Sequence, residues 1–362
     1  LLQSSSGGTG TATVDIGAAE TLRANAISAV ATVGALTLGA SVNTGTLSPA
    51  TPGGNLLLIN NSTASNNANA NNNMTVNSVI ADNTSASTVT KDGAGVLRLA
   101  GTNTYSGGTI INAGTLAVKA DANLGAAGTG ITFNGTAAVS FGIQPGASSA
   151  TVDLGTRPIT INNGVIAGLH NNWANTTITI SGNITGDGGL LFGRDPVLTY
   201  GGGSGVLNLN LLGHGNTFTG PITFGVNASE NVGVASAITV NSLGNSTSPI
   251  TFNLGGGWSF GLGAGAAADL QLPDRPIDLL NSNITMRNLS ATNTLTLGAV
   301  STSTAGAKTL NLGIGSAGGT VAGPITNGNG TIAVTKSGTG TWALSGANTY
   351  TGLTTINDGG GT

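Results

Sequence analysis

The sequence predicts an all-β chain folded as a parallel β-helix, a β-solenoid in which a single chain winds into stacked coils. Three observations predict it. Charged residues make up 6% of the 362 residues while glycine alone contributes 61, against roughly 25% charged and about 7% glycine in an ordinary soluble domain. The apolar residues come in short alternating runs bounded by Gly and Asn, the pattern of strands and turns. And the chain repeats itself over long distances, the mark of a solenoid rather than a sandwich.

The composition also excludes classes. Between Ala24 and Ala81 there is no Asp, Glu, Lys or Arg. Disordered chains pair low hydrophobicity with high net charge, whereas here 39% of residues are apolar and the net charge is −3. That charge is too small to steer nucleic acid or an anionic membrane. With no Cys, neither disulfides nor thiolate metal sites are available, and hydrogen bonds and packing must hold the fold. The longest uncharged apolar stretch, "ISAVATVGALTLGASV" (Ile27 to Val42), is broken by Ser, Thr and Gly. It falls short of the 18 or so apolar residues of a membrane span and reads as a strand pair. The chain begins at Leu1 without a signal peptide, as expected of a segment cut from a longer product.

The repeats carry most of the information. "VTKDGAGVLRLAGTNTYSGGTIINAG" from Val89 aligns without a gap to "VTKSGTGTWALSGANTYTGLTTINDG" from Val334, with fifteen of 26 positions identical. A weaker copy, "GVLNLNLLGHGNTFTGPITF", begins at Gly205 with Phe218 in place of the tyrosine. "NLGAAGTGITFNG" from Asn123 resembles "SLGNSTSPITFNL" from Ser242, and "TRPITINNG" from Thr156 resembles "DRPIDLLNS" from Asp274. These matches predict a partial block over 1–88, repeat blocks over 89–204 and 205–333, and the start of another over 334–362, all in one continuous solenoid. Within blocks, β-rich runs recur at Gly108, Gly130, Pro158, Thr176, Val206, Pro221, Pro249, Pro276, Thr294, Thr309 and Thr331. No amphipathic helical segment separates them. Some 15 coils at about 4.8 Å each would make a rod roughly 70 Å long.

In such a coil the corners need positive φ, which Gly and Asn tolerate best. Alternate strand residues point inward, which places Leu116 and Val118 in the core, one of Ile110 and Ile111 beside them, and Thr side chains outside. Tyr105 and Tyr350 are expected to pack at a corner, with the ring over a coil and the hydroxyl at the surface.

The repeated phrase resembles the passenger-associated transport repeat, also called the autotransporter-associated β-strand repeat. Its motif residues here are Gly101, Asn103, Thr104, Tyr105, Gly107, Thr109, Ile111, Asn112 and Gly114. In the second copy they are Gly346, Asn348, Thr349, Tyr350, Gly352, Thr354, Ile356, Asn357 and Gly359. The resemblance implies a secreted or surface-exposed passenger region of a Gram-negative-type bacterium, folded as a right-handed parallel β-helix. A translocator barrel usually accompanies such a region. Its amphipathic ten-residue strands are not read in this stretch.

No residue set reads as a catalytic, cofactor or metal site. The thirteen acids are scattered, and the densest group is Asp269, Asp274 and Asp278 around Arg275. Its counterpart one block earlier is Asp153 with Arg157, so the reading is a structural ion pair at a corner. His170 and His214 are the two histidines, and no Ser-His-Asp order stands out. "YGGGSGV" at Tyr200 lacks the Lys and the helix of a phosphate loop, and "GDGG" at Gly186 is a turn signal. "NNSTASNNANANNNMT" (Asn60 to Thr75) reads as a loop or a polar ladder, with self-association as the sharper reading. Trp342 stands at the Leu97 position of the repeat and reads as core, while Trp173 and Trp258 could stack on sugars.

The function expected from these residues is non-enzymatic: a structural or adhesive protein of the bacterial exterior, without cofactor. Its partners would be cell-surface glycans or matrix, or further copies of itself joined end to end or laterally. Two other readings are a subunit of a self-assembling filament or sheath and a carbohydrate-active β-helix enzyme. The latter would need paired carboxylates in one cleft.

Overall fold

The computed structural model describes residues 2–4, 12–29, 35–61, 74–135, 138–143, 151–171, 176–193, 207–211, 215–225, 232–234, 243–244, 247–253, 258–262, 269–280, 283–313 and 317–357. Among them the chain is a parallel β-helix. Every run singled out by sequence is a strand, from Thr109–Ile111 and Ile131–Phe133 through Ile250–Phe252 to Thr331–Ser337. A 3-10 turn, Asp121–Leu124, interrupts the strands. No described helix is long and apolar enough to cross a membrane.

The chain divides into two compact units. The first comprises Leu1–Thr176, Ile180–Gly188 and Arg194–Gly205; the second comprises Thr177–Thr179, Gly189–Gly193 and Val206–Thr362. In the first unit one sheet stacks Asn55–Asn60, Thr88–Asp92, Thr109–Ile111, Ile131–Phe133, Ile159–Ile161 and Ile184–Gly186 in that order, all parallel. A second sheet stacks Met74–Val76, Val96–Leu99, Thr115–Val118, Ala138–Ile143 and Ile166–Asn171. In the first of these sheets the register pairs Val89 with Thr109 and Leu56 with Val89, so one coil there takes from 20 to 33 residues.

The second unit repeats the plan, with Leu207–Leu211 paired on Val232–Val234 and three further stacks. Ile222–Phe224, Ile250–Phe252, Ile277–Leu279 and Val300–Ser301 form one. Trp258–Leu262, Ile284–Asn288, Ala307–Leu312, Thr331–Ser337 and Thr354–Asn357 form another. Leu270–Leu272, Leu295–Leu297, Gly319–Val321 and Trp342–Leu344 form the third.

Period-2 alternation places the core. In the "ITF" and "ITI" strands the first and third residues are buried and the Thr between them faces outward. Parallel in-register stacking then sets like on like. Ile111 lies over Phe133 and Phe133 over Ile161. In the second unit Phe192, Phe224 and Phe252 form a file of stacked rings at centroid spacings of 5.2 and 5.3 Å, and Phe260 closes edge-on against Phe252 at 5.2 Å. These spacings lie close to the rise between coils and within the favoured range for offset rings.

Candidate functional site

The repeat phrase folds as one coil. Strand Thr88–Asp92 turns through Gly93 into Val96–Leu99. Residues 100–108 make the corner, and Thr109–Ile111 returns to lie on Thr88–Asp92. The second copy does the same: Thr354–Asn357 lies on Thr331–Ser337. Of Ile110 and Ile111, the second points inward and is fully buried.

Nearly every polar group of the corner is spent on an adjacent coil. Asn103 is buried. Its Oδ1 accepts from the Ile80 amide at 2.8 Å in the preceding coil, and its Nδ2 donates to the Asn123 carbonyl at 2.5 Å in the following one. Asn348 repeats the first bond, accepting from the Ile325 amide at 2.9 Å. The backbone amides of Thr104 and Tyr105 donate to the Ile80 carbonyl, and those of Thr349 and Tyr350 donate to the Ile325 carbonyl. A Cβ at Gly101 would stand 2.5 Å from the Ser78 carbonyl oxygen, and one at Gly346 would stand 2.2 Å from that of Gly323. These glycines are therefore set by close coil-to-coil approach. Gly359 lies outside the described residues.

Replacing Asn103 by Ala strands two buried groups, at about 1–3 kcal/mol each. We expect a loss of about 2–4 kcal/mol in urea unfolding, together with faster hydrogen exchange at the Ile80 amide. Asn348→Ala, which removes a single bond of the exposed last described coil, should cost about 1 kcal/mol.

Tyr105 departs from expectation. Its hydroxyl is buried rather than at the surface, sharing a 2.7 Å hydrogen bond with the Thr109 hydroxyl, and Thr109 turns inward to meet it. Alternation places Thr109 on the inward face with Ile111, where it gives the interior phenol the partner it needs. Burial pushes the phenol pKa up, so it stays neutral. Tyr350 pairs with Thr354 in the same way at 2.7 Å, on a more exposed coil. The ring of Tyr105 lies against Gly125, where a Cβ would approach it to 2.8 Å. Phe218 and Gly244 repeat that contact in the degenerate copy, also at 2.8 Å.

Two staples, each present in both copies, escaped the reading of the motif. Asp82 Oδ2 accepts from the Ser106 hydroxyl at 2.7 Å, and its Oδ1 accepts from the amides of Ser106 and Ser87 at 2.9 and 2.7 Å. Desolvation works against its charge, but these hydrogen bonds prevail and hold the carboxyl below its ordinary pKa. Asn327 makes the same three contacts, with Thr351 and the Ile332 amide. The Asp-to-Asn exchange hid the equivalence in sequence.

Lys91 is fully buried, and its Nζ donates to the carbonyls of Asp92 (2.8 Å), Gly93 (2.5 Å) and, one coil on, Ala113 (2.8 Å). Lys336 repeats the first two bonds, to Ser337 and Gly338. The shared "VTK" was the available signal.

Burial pushes the Lys91 pKa down from 10.5 to about 7, with Asp92 pulling weakly the other way. The folded state therefore releases this proton near pH 7 while the unfolded chain holds it to about pH 10.5. Between those values the unfolded state binds more protons, so stability attributable to Lys91 rises with pH. The slope approaches about 1.4 kcal/mol per pH unit. Comparing urea unfolding of the wild type and Lys91→Met from pH 6 to pH 10 should show this rise in the wild type and its absence in the variant.

The expected corner ion pair is corrected. Arg157 does not pair with Asp153, which accepts from the Gly155 amide in its own turn at 2.8 Å. Arg157 reaches back 36 residues to Asp121, bonding Oδ1 through Nε and Oδ2 through Nη2 at 3.1 Å. The same guanidinium donates to the carbonyls of Asp121, Leu124, Gly125, Ala126 and Thr129. Asp269 and Asp278 are spent on Thr294 and Ser303, Asp274 is exposed, and Arg275 has no ion pair among the described residues. The acids thus form no single cluster around the arginine.

Trp342 is half-buried, its ring against Gly319, where Leu97 is fully buried. No further described coil covers it. Trp173, His214 and most of the Asn-rich stretch, residues 62–73, lie outside the described residues, as do the side chains of His170 and Trp258.

A family model, that of the passenger-associated-transport-repeat, matches residues 89–118 and 334–360. These are the two coils that share the staples at Asn103 and Asn348, Tyr105 and Tyr350, Asp82 and Asn327, and Lys91 and Lys336. The phrase is a passenger-associated-transport repeat. The transport-repeat coil is thus defined here by Asn103, Tyr105, Asp82 and Lys91, and again by Asn348, Tyr350, Asn327 and Lys336. Among curated proteins the chain is similar to "Adhesin BmaC autotransporter" of Brucella suis biovar 1 (strain 1330), at 38% identity over 103 residues. That is 28% of this chain and 3% of the relative, so the chain spans a small fraction of the relative it matches. No solved structure matches.

Proposed function

We propose that this chain is part of the secreted passenger of a Gram-negative surface protein, serving as a non-enzymatic scaffold and adhesive surface. The observation that carries the reading is the pair of transport-repeat coils, whose polar side chains are committed to holding one coil on the next. The similarity of a 103-residue segment to an autotransporter adhesin supports it. The partners on this reading are cell-surface glycans or matrix components. Outward-facing Thr, Asn and Ser supply hydroxyl and amide groups along each sheet for such contacts.

The test is display of the chain on a non-adherent bacterium, with adhesion to epithelial cells and to matrix-coated wells counted against a strain displaying an unrelated β-helix. A several-fold gain in attachment supports the reading. No gain, or release of sugars from a polysaccharide panel by the purified chain, overturns it. Electron microscopy of the purified chain distinguishes the filament alternative: long uniform fibres would replace an adhesive scaffold with a self-assembling subunit.

A further inference from the structure

The two units each contain a buried arginine that follows an aligned stretch of sequence, and the two differ in their counter-charge. "NLGAAGTGITFNG" before Arg157 aligns with "SLGNSTSPITFNL" before Arg275. Leu124 and Leu243 correspond, as do Thr129 and Ser248. The carbonyls correspond too: Arg157 Nη1 donates to Leu124 and Thr129, and Arg275 donates to Leu243 through Nη1 and to Ser248 through Nε at 3.1 Å. In the first turn the set is completed by the Asp121 carboxylate. In the second the aligned residue is Val240.

The consequence is visible at the guanidinium. Arg275 is 4% exposed, and its Nη2 is buried with no hydrogen-bond partner. In the sister turn Nη2 is the atom that meets Asp121 Oδ2. Burial without a counter-charge pushes the Arg275 pKa down to about 10, still charged at neutral pH. A buried cation with an open donor is costly unless something fills it. The sister turn shows what fits: a carboxylate oxygen about 3.1 Å from Nη2. It also shows that the position is reachable, because the Asp121 side chain is 32% exposed although Arg157 is 1% exposed.

We propose that Arg275 forms an anion site that takes a carboxylate from outside the chain, in the place Asp121 occupies beside Arg157. The ligand class is a small carboxylate or a uronic acid residue of an acidic glycan. Charge-assisted N–H···O bonds are the strong ones, and Arg suits carboxylate best. The inference is independent of whether the chain is adhesive.

The test uses the full chain at fixed ionic strength, with sodium chloride replaced stepwise by sodium acetate or sodium glucuronate. Acetate near 100 mM should raise the wild-type unfolding midpoint by about 3 °C over equal chloride. Glucuronate alone giving the shift would assign the site to acidic sugars. Arg275→Gln should lose the response. Because that variant also loses two carbonyl contacts, Asp121→Ala provides the second arm. It opens the same place beside Arg157 and should lower the midpoint in chloride while enlarging the response to acetate. Equal midpoints in all three salts for the wild type, or no larger acetate response in Asp121→Ala, would overturn the proposal.

Discussion

Tyr105→Ala is expected to destabilise the first unit by about 3–5 kcal/mol, the range for emptying a buried aromatic site. The ring is fully buried and lies against Gly125, and its hydroxyl satisfies the interior hydroxyl of Thr109. Urea unfolding followed by far-UV circular dichroism reads the loss. Two companions separate its components. Tyr105→Phe keeps the ring and removes one hydrogen bond, so about 1 kcal/mol should go; Phe218 shows that the corner accepts that ring. Tyr350→Ala, on a half-exposed coil, should cost about 1–2 kcal/mol. Equal losses for Tyr105→Ala and Tyr350→Ala would refute the assignment of the effect to burial. Gly125→Ala tests the other side of the contact. Gly125 has φ +77°, and a Cβ there would meet the Tyr105 carbonyl oxygen at 2.4 Å as well as the ring. Strain and overlap together should cost at least about 2 kcal/mol.

Arg157→Ala should be as severe, at about 3–5 kcal/mol. Its removal leaves the Asp121 carboxylate and five carbonyls of one turn without their donor. Asp121→Asn should cost less, about 1–2 kcal/mol. Asp121 is partly solvated, and Arg275 shows that such an arginine is housed by carbonyls with no acid at that position. Asp153→Asn should change stability by less than about 0.5 kcal/mol. The three variants measured side by side by thermal unfolding decide the point: if Asp153→Asn exceeds Asp121→Asn, the partner assigned to Arg157 is wrong.

Much of the coil was readable before any coordinates. The "ITF" and "ITI" runs announce a strand with two buried residues on one face and one outward Thr, because strand side chains alternate whatever their neighbours are. The invariant spacing between the two transport repeats announces equivalent coils. What the phrase could not convey was partnership. Asp82 and Asn327 look unrelated in sequence yet make the same three contacts. Arg157 stands four residues from Asp153 and binds Asp121 instead. Tyr105 reads as a surface phenol until the coil that covers it is in place.

By itself, then, the sequence determined the strand pattern, the repeat and the turns, since alternation, apolar content and Gly or Asn at corners act within a few residues. Only the tertiary structure decided which polar side chains meet. In a solenoid each meeting crosses from one coil to the next, some 20 to 36 residues along the chain. The length of each intervening corner, not local propensity, sets that register.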